Sequence, residues 1–122
     1  SMPAVAEIGP SNYQAYLKRG LPLCWLFLDL DNKETADAAI GEYKAIALDF
    51  KEKLSLVYLS GTKYSQMVTK MGLSGKKYPA MTIEAEELHY VFSEDLDFTA
   101  ANLKAFFTSY LAGELKPTMK SE

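Results

Sequence analysis

The side chains best suited to covalent chemistry are few and widely spaced. Cys24 is the only cysteine and His89 the only histidine. Dithiol redox chemistry needs two cysteines in a C-x-x-C spacing at a helix start. There the helix N-terminus lowers the pKa of the attacking thiol, and the second thiol resolves the mixed disulfide. The stretch that opens the second expected helix, Asp31-Asn32-Lys33-Glu34-Thr35, contains no sulfur, so that chemistry is excluded. Cys24 lies between Leu23 and Trp25 in an apolar run, where a thiol behaves as a small core hydrophobe with a raised pKa. The rival reading is a reductase working with one cysteine. Position opposes it, because the thiol precedes the helix start by several residues. His89 has no second histidine or cysteine near it in sequence to share a metal. Asp29, Asp31, Glu34 and Asp37 gather around a helix start, where the dipole favours carboxylates, and no glycine-turn ligand loop accompanies them. Neither metal nor cofactor is expected.

Non-covalent chemistry is better supplied. Met67 and Met71 are four residues apart, so on a helix they share a face, with Tyr64 and Val68 completing the stripe. Methionine is flexible and polarizable, and it suits surfaces that accept many partners. Tyr13, Tyr16 and Leu17 fall on one face of an earlier helix. If the two helices lie on the same side of a sheet, the tyrosines face the methionine stripe across a groove. Tyrosines add apolar area with a polar handle. The plainer reading is that Met67 and Tyr16 are ordinary core.

The elements that would position these residues follow from pattern. Val5–Ile8 reads as a first strand, and Ser11 with Gln14 as a capping box for a helix that Gly20 stops. Leu23–Leu30 is a nearly continuous apolar run, the mark of a strand buried on both faces. A second helix spans about Glu34–Phe50, with Ile40, Tyr43, Ala47 and Phe50 inside. Leu54–Leu59 is another buried strand, and a third helix, Tyr64–Met71, ends at Gly72. Pro79 cannot donate to a sheet ladder, so it belongs at the mouth of the next strand, and it is a candidate cis bond. Ala80–Ala85 and Leu88–Phe92, joined by Glu86-Glu87, make an antiparallel hairpin. Thr99 opens the last helix, which ends at Gly113, with Phe98 placed to staple onto Leu103.

The order βαβαβα then ββα, with right-handed crossovers, leaves few topologies. It resembles a thioredoxin-like fold: an α/β three-layer sandwich with a central five-stranded mixed sheet, four helices and a cis-proline before the fourth strand. The 122 residues suit one domain large enough to fold without disulfide staples. A net charge of −3 with no basic stripe argues against nucleic acid. The longest apolar run, Leu21–Leu28, is too short to span a bilayer, so no membrane is expected. Ser1-Met2 reads as an expression scar, residues 3–113 as the domain, and 114–122 as the start of an inter-domain linker.

Three stretches carry a narrower resemblance: Glu7-Ile8-Gly9-Pro10 leading to Tyr13 and Tyr16, Tyr78-Pro79-Ala80, and Leu111-Ala112-Gly113-Glu114-Leu115-Lys116-Pro117. Together they resemble the non-catalytic b-prime domain of protein disulfide isomerases. The resemblance implies residence in the endoplasmic reticulum lumen, flanking catalytic thioredoxin-like domains, and capture of unfolded or misfolded polypeptides between the first and third helices. Carried over by position, the peptide site would comprise Tyr16, Met67, Met71 and Leu88, with Leu26, Leu28, Tyr43 and Val57 from neighbouring strands and the second helix. Pro79 would be architectural. An exposed groove would also invite a weak homodimer. The remaining alternative is a structural spacer that binds no client.

Overall fold

The apolar run at the centre of the chain becomes the central strand of the sheet, and the rest of the architecture follows from covering both its faces. The structure, a computed structural model, describes residues 2–118. In chain order the elements are β1 (Val5–Glu7), α1 (Tyr13–Lys18), β2 (Leu23–Leu28), α2 (Lys33–Phe50), β3 (Ser55–Ser60), α3 (Ser65–Lys70), β4 (Ala80–Ala85), β5 (Leu88–Val91) and α4 (Ala100–Leu111). The strand order is β1-β3-β2-β4-β5. β1 and β2 run parallel to β3, while β4 is antiparallel to both β2 and β5. All six residues of β2 are buried, as expected for a strand covered on both faces.

Alternation along the strands divides the core in two. Cys24, Leu26 and Leu28 of β2, Leu54 and Leu56, and Met81 and Ile83 of β4 pack beneath α2 and α4. Leu23, Trp25, Phe27, Val57, Leu59 and Ala80 face the other way, toward Tyr16 of α1 and Val68 and Met71 at α3. The two covers are unequal. α2 has 18 residues and α4 has 12, and they pack side by side. α1 and α3 have six residues each, and no comparable packing joins them.

Local details differ from the pattern reading in physically clear ways. No Ser11 capping box forms. The N-cap of α1 is Asn12, whose side chain turns back to accept from the Gly9 N–H at 2.8 Å and to donate to the Glu7 carbonyl at 2.9 Å. It therefore ties the Gly9-Pro10 turn to β1 and leaves the helix donors alone. Inside α2 the buried stripe is Ala36, Ala39, Tyr43, Ile46, Ala47 and Phe50, with Ile40 only at its margin. Phe98 sits edge-on to Phe92 at 5.8 Å, beside the core that holds Leu103. α4 opens as expected, with the Thr99 hydroxyl accepting from the Asn102 N–H. Glu86 and Glu87 both take positive φ, 51° and 69°, the geometry a two-residue hairpin link demands.

The Tyr78–Pro79 peptide is cis. The Tyr78 ring lies on the loop before α3, and its hydroxyl donates to the Gly61 carbonyl at 3.0 Å. A Cβ on Gly61 would fall 2.1 Å from the ring's Cε1, so any larger residue there must displace the Tyr78 ring. Gly61→Ala is expected to destabilise the domain by about 1–3 kcal/mol, the range for overpacking. A urea titration reads this as a lower midpoint at unchanged slope.

Of the segment read as linker, Leu115–Thr118 returns along the free edge of β5. The Thr118 N–H donates to the His89 carbonyl at 2.7 Å, and the Val91 N–H donates to the Thr118 hydroxyl at 3.1 Å. Residues 119–122 of that segment and Ser1 lie outside the described residues. Met2 packs against the α1/α3 core.

Candidate functional site

Two short helices cannot cover a sheet face that bears Trp25, Val57 and Leu59, and the uncovered part is a groove. It encloses about 430 Å³ and is lined by Ile8, Gly9, Pro10, Tyr13, Trp25, Leu59, Tyr64, Met67, Met71 and Glu84. Its floor is sheet, from Trp25 and Leu59. One wall is the β1–α1 turn and Tyr13, and the other is the methionine face of α3. Tyr13 and Tyr64, each 40% exposed, stand at the rim. At the α3 wall the Met71 carbonyl lies 3.4 Å from the buried Thr82 hydroxyl, whose alternative acceptor is the Tyr90 carbonyl at 3.3 Å. The lining is apolar except for Glu84, one of whose oxygens accepts from the Trp25 indole N–H at 3.2 Å. Its other oxygen meets His89 Nε2 at 3.2 Å.

The residues nominated from sequence divide into three groups. Met67 and Met71 line the groove, with Val57 in the core directly beneath it. Tyr16 is on the right face but is 2% exposed. It packs in the core on that side of the sheet, where burial pushes its hydroxyl pKa up and nearby Arg19 partly offsets that. Leu26, Leu28 and Tyr43 require correction. All three lie on the opposite face, in the core under α2 and α4. The register explains why: Trp25 pairs with Val57 and Leu26 with Tyr58, so Leu26 and Val57 point to opposite sides. Tyr43 is locked there by its hydroxyl, which donates to the Cys24 carbonyl at 2.8 Å. Leu88 also falls outside the groove. It is 45% exposed at the start of β5 and borders a neighbouring cleft with Leu17, Glu84, Glu86 and Glu87.

The residues that sequence reasoning left out are Ile8, Gly9, Pro10, Trp25, Leu59 and Glu84. One signal could have found Glu84. In β4, Ala80, Thr82 and Glu84 alternate with the large apolar Met81 and Ile83. A strand that is bulky on one face and small or polar on the other marks the second face as the thinly covered one.

The one thiol lies away from this groove. Cys24 is fully buried beneath α2, and burial pushes its thiol pKa far up. At the start of α2, Asn32 accepts from the Thr35 N–H and Lys33 pairs with Asp37. Among the described residues, no helix is long and apolar enough to cross a membrane.

Comparison with known proteins agrees with this architecture. The family model for a thioredoxin-like domain matches residues 1–109. A protein disulfide-isomerase of Arthroderma benhamiae is 27% identical over 124 residues, covering 100% of this chain and 23% of that protein. The chain thus spans about a quarter of the length of the curated relatives it matches. Human ERp44, in its crystal form II, superposes with a TM-score of 0.79 at 20% identity, over 99% of this chain and 35% of that one. The bb fragment of ERp72 superposes with a TM-score of 0.77 at 22% identity, over 96% of this chain and 52% of that one. A thioredoxin-like sheet with four helices, matched over nearly its whole length and lacking any paired cysteine, places this chain in the thioredoxin-like domain family, with protein disulfide-isomerases among its relatives.

Proposed function

We propose that this chain is a non-catalytic, b-prime-like module that holds apolar segments of unfolded or misfolded polypeptides in the groove between α1 and α3. It acts by mass action. Capture of an exposed segment keeps a client near flanking catalytic thioredoxin-like domains of the same protein, at raised effective concentration. The setting is the lumen of the endoplasmic reticulum. The observation that carries this reading is the groove itself: an apolar, aromatic-rimmed channel between the β1–α1 turn and α3. Its lining suits the role, because Met67, Met71 and the tyrosine rim can repack around different side chains. Weak binding is appropriate, since a disordered segment loses conformational entropy on capture.

Trp25 is the only tryptophan in the chain and lies in the floor of the groove, so its emission reports occupancy directly. Titration with a short apolar peptide should give a saturable change, with a dissociation constant on the order of 100 µM. Emission that stays constant at millimolar peptide, with amide signals of Met67 and Met71 unmoved, would leave the domain as a spacer.

A further inference from the structure

The groove does not end where its apolar lining ends. At one end it shares Glu84 with a second cleft, which also holds Glu86 and Glu87. At the other it shares Tyr64 and Met67 with a third, flanked by Lys63 and Lys70. Glu84 pairs with Leu23 at the start of β2, while Lys63 and Tyr64 follow Ser60, which pairs with Leu28 at its end, so an acidic cleft and a basic one adjoin the groove toward opposite ends of the strand. Lys63, Lys70, Glu86 and Glu87 are exposed, and among the described residues none of the four joins an ion pair. The Lys63 ammonium stands 5.4 Å from the centre of the Tyr64 ring, which places it at the groove's rim. At the acidic end the Glu84 carboxylate is fixed by Trp25 and by His89.

We propose that the groove selects segments by charge order as well as by hydrophobicity. The preferred segment has an apolar centre, a cationic flank lying toward Glu84, Glu86 and Glu87, and a carboxylate flank lying toward Lys63 and Lys70. This rests on the reading that the groove binds polypeptide. The physical ground is electrostatic complementarity. Charges at the two mouths add little raw affinity, but they penalise segments that bring like charges to either end, and that difference is specificity. Each exposed pair is worth about a 1.5- to 5-fold change in affinity at low salt.

Three peptides with one apolar centre separate the claims. The first carries two aspartates at one end and two lysines at the other. The second has the same composition, with one aspartate and one lysine at each end. The third has serines at both ends. The polarised peptide should bind about three- to ten-fold more tightly than its mixed-end counterpart at low ionic strength, and the ratio should approach one in about 1 M salt, where the Debye length is near 3 Å. The double variant E86K/E87K should abolish the preference, as should K63E/K70E. All four positions are exposed, so both variants should fold, and a thermal melt checks it. Equal binding of all three peptides would overturn the charge-order assignment and leave the groove reading standing, as would a preference that survives in both double variants. Failure of all three to bind would remove the groove reading itself.

Discussion

In the folded domain Cys24 should resist alkylation about 10⁴-fold or more compared with the same thiol in denaturant. The side chain is fully buried, covered by α2, with its own carbonyl tied to the Tyr43 hydroxyl. A reagent can reach it only when the core opens. For a domain of ordinary stability the opened state is populated at about one part in 10⁴ or less. A dithiol or monothiol enzyme would behave in the opposite way, because a catalytic thiol is accessible and its pKa is lowered. The pH dependence sharpens the contrast. Burial raises the folded thiol well above its ordinary value of 9.0, so labelling proceeds through the opened state, where the thiol titrates normally. The rate should therefore climb about ten-fold per pH unit up to about pH 9 at constant stability. A poised thiolate would give a flat profile near neutrality. The same shift bears on stability with a definite sign. The folded pKa is raised, so its stabilising contribution is complete below pH 9 and is lost as pH rises above that value, with Tyr43, also raised by burial, adding to the loss above pH 10. Rapid alkylation of native protein at neutral pH would return the one-cysteine reductase to contention.

How far the sequence foretold the site depends on which geometry is asked about. Apolar runs, glycine stops and the proline before β4 carry the element order, because each is a local statement about one segment. The helical periodicity that groups Tyr64, Met67, Val68 and Met71 is equally local, and it found one wall of the groove. The floor is another matter. Trp25 and Leu26 are adjacent in an unbroken apolar run, and a strand buried on both faces carries no alternation to reveal which residue faces which way. Only the pairing of Trp25 with Val57 and of Leu23 with Glu84 fixes it, and register is a long-range fact. Position-by-position carry-over from the resemblance points to Leu26 and Leu28, and the unbroken apolar run holds no local signal that would move the assignment to Trp25. Tyr43, carried into the site by the same resemblance, does face inward on α2 as the helical stripe predicts, but the core has two halves and α2 covers the one it shares with α4. The Asn12 cap shows the limit at the smallest scale. Its side chain has competing partners in the preceding turn, and it takes them.

Met67→Asp should remove peptide binding while leaving the domain folded, and the two halves of that outcome test different statements. Met67 is half-buried and lines the groove. A carboxylate there remains hydrated while the groove is empty and must be desolvated when an apolar segment enters. Burial of an uncompensated charge against apolar surface should cost at least 2 kcal/mol, or about thirty-fold in affinity. Stability should suffer less. The variant loses part of one methionine's burial, roughly 1 kcal/mol. Part of that is returned because the position lies in the first turn of α3, where the helix dipole favours a carboxylate. The next residue supplies the contrast. Val68 is completely buried, so Val68→Asp places the same charge in the core and should unfold the domain. Tyr64→Ser, at the exposed rim, should weaken binding by a few-fold with no loss of stability, and it does not depend on how α3 tolerates a charge. If Met67→Asp unfolds the chain as Val68→Asp does, the methionine face is core and the groove is only a surface depression. If Met67→Asp folds and binds peptide as well as the parent does, the segment lies elsewhere on the domain. A folded variant that no longer quenches or shifts Trp25 emission with peptide is the result that ties client capture to this wall of the groove.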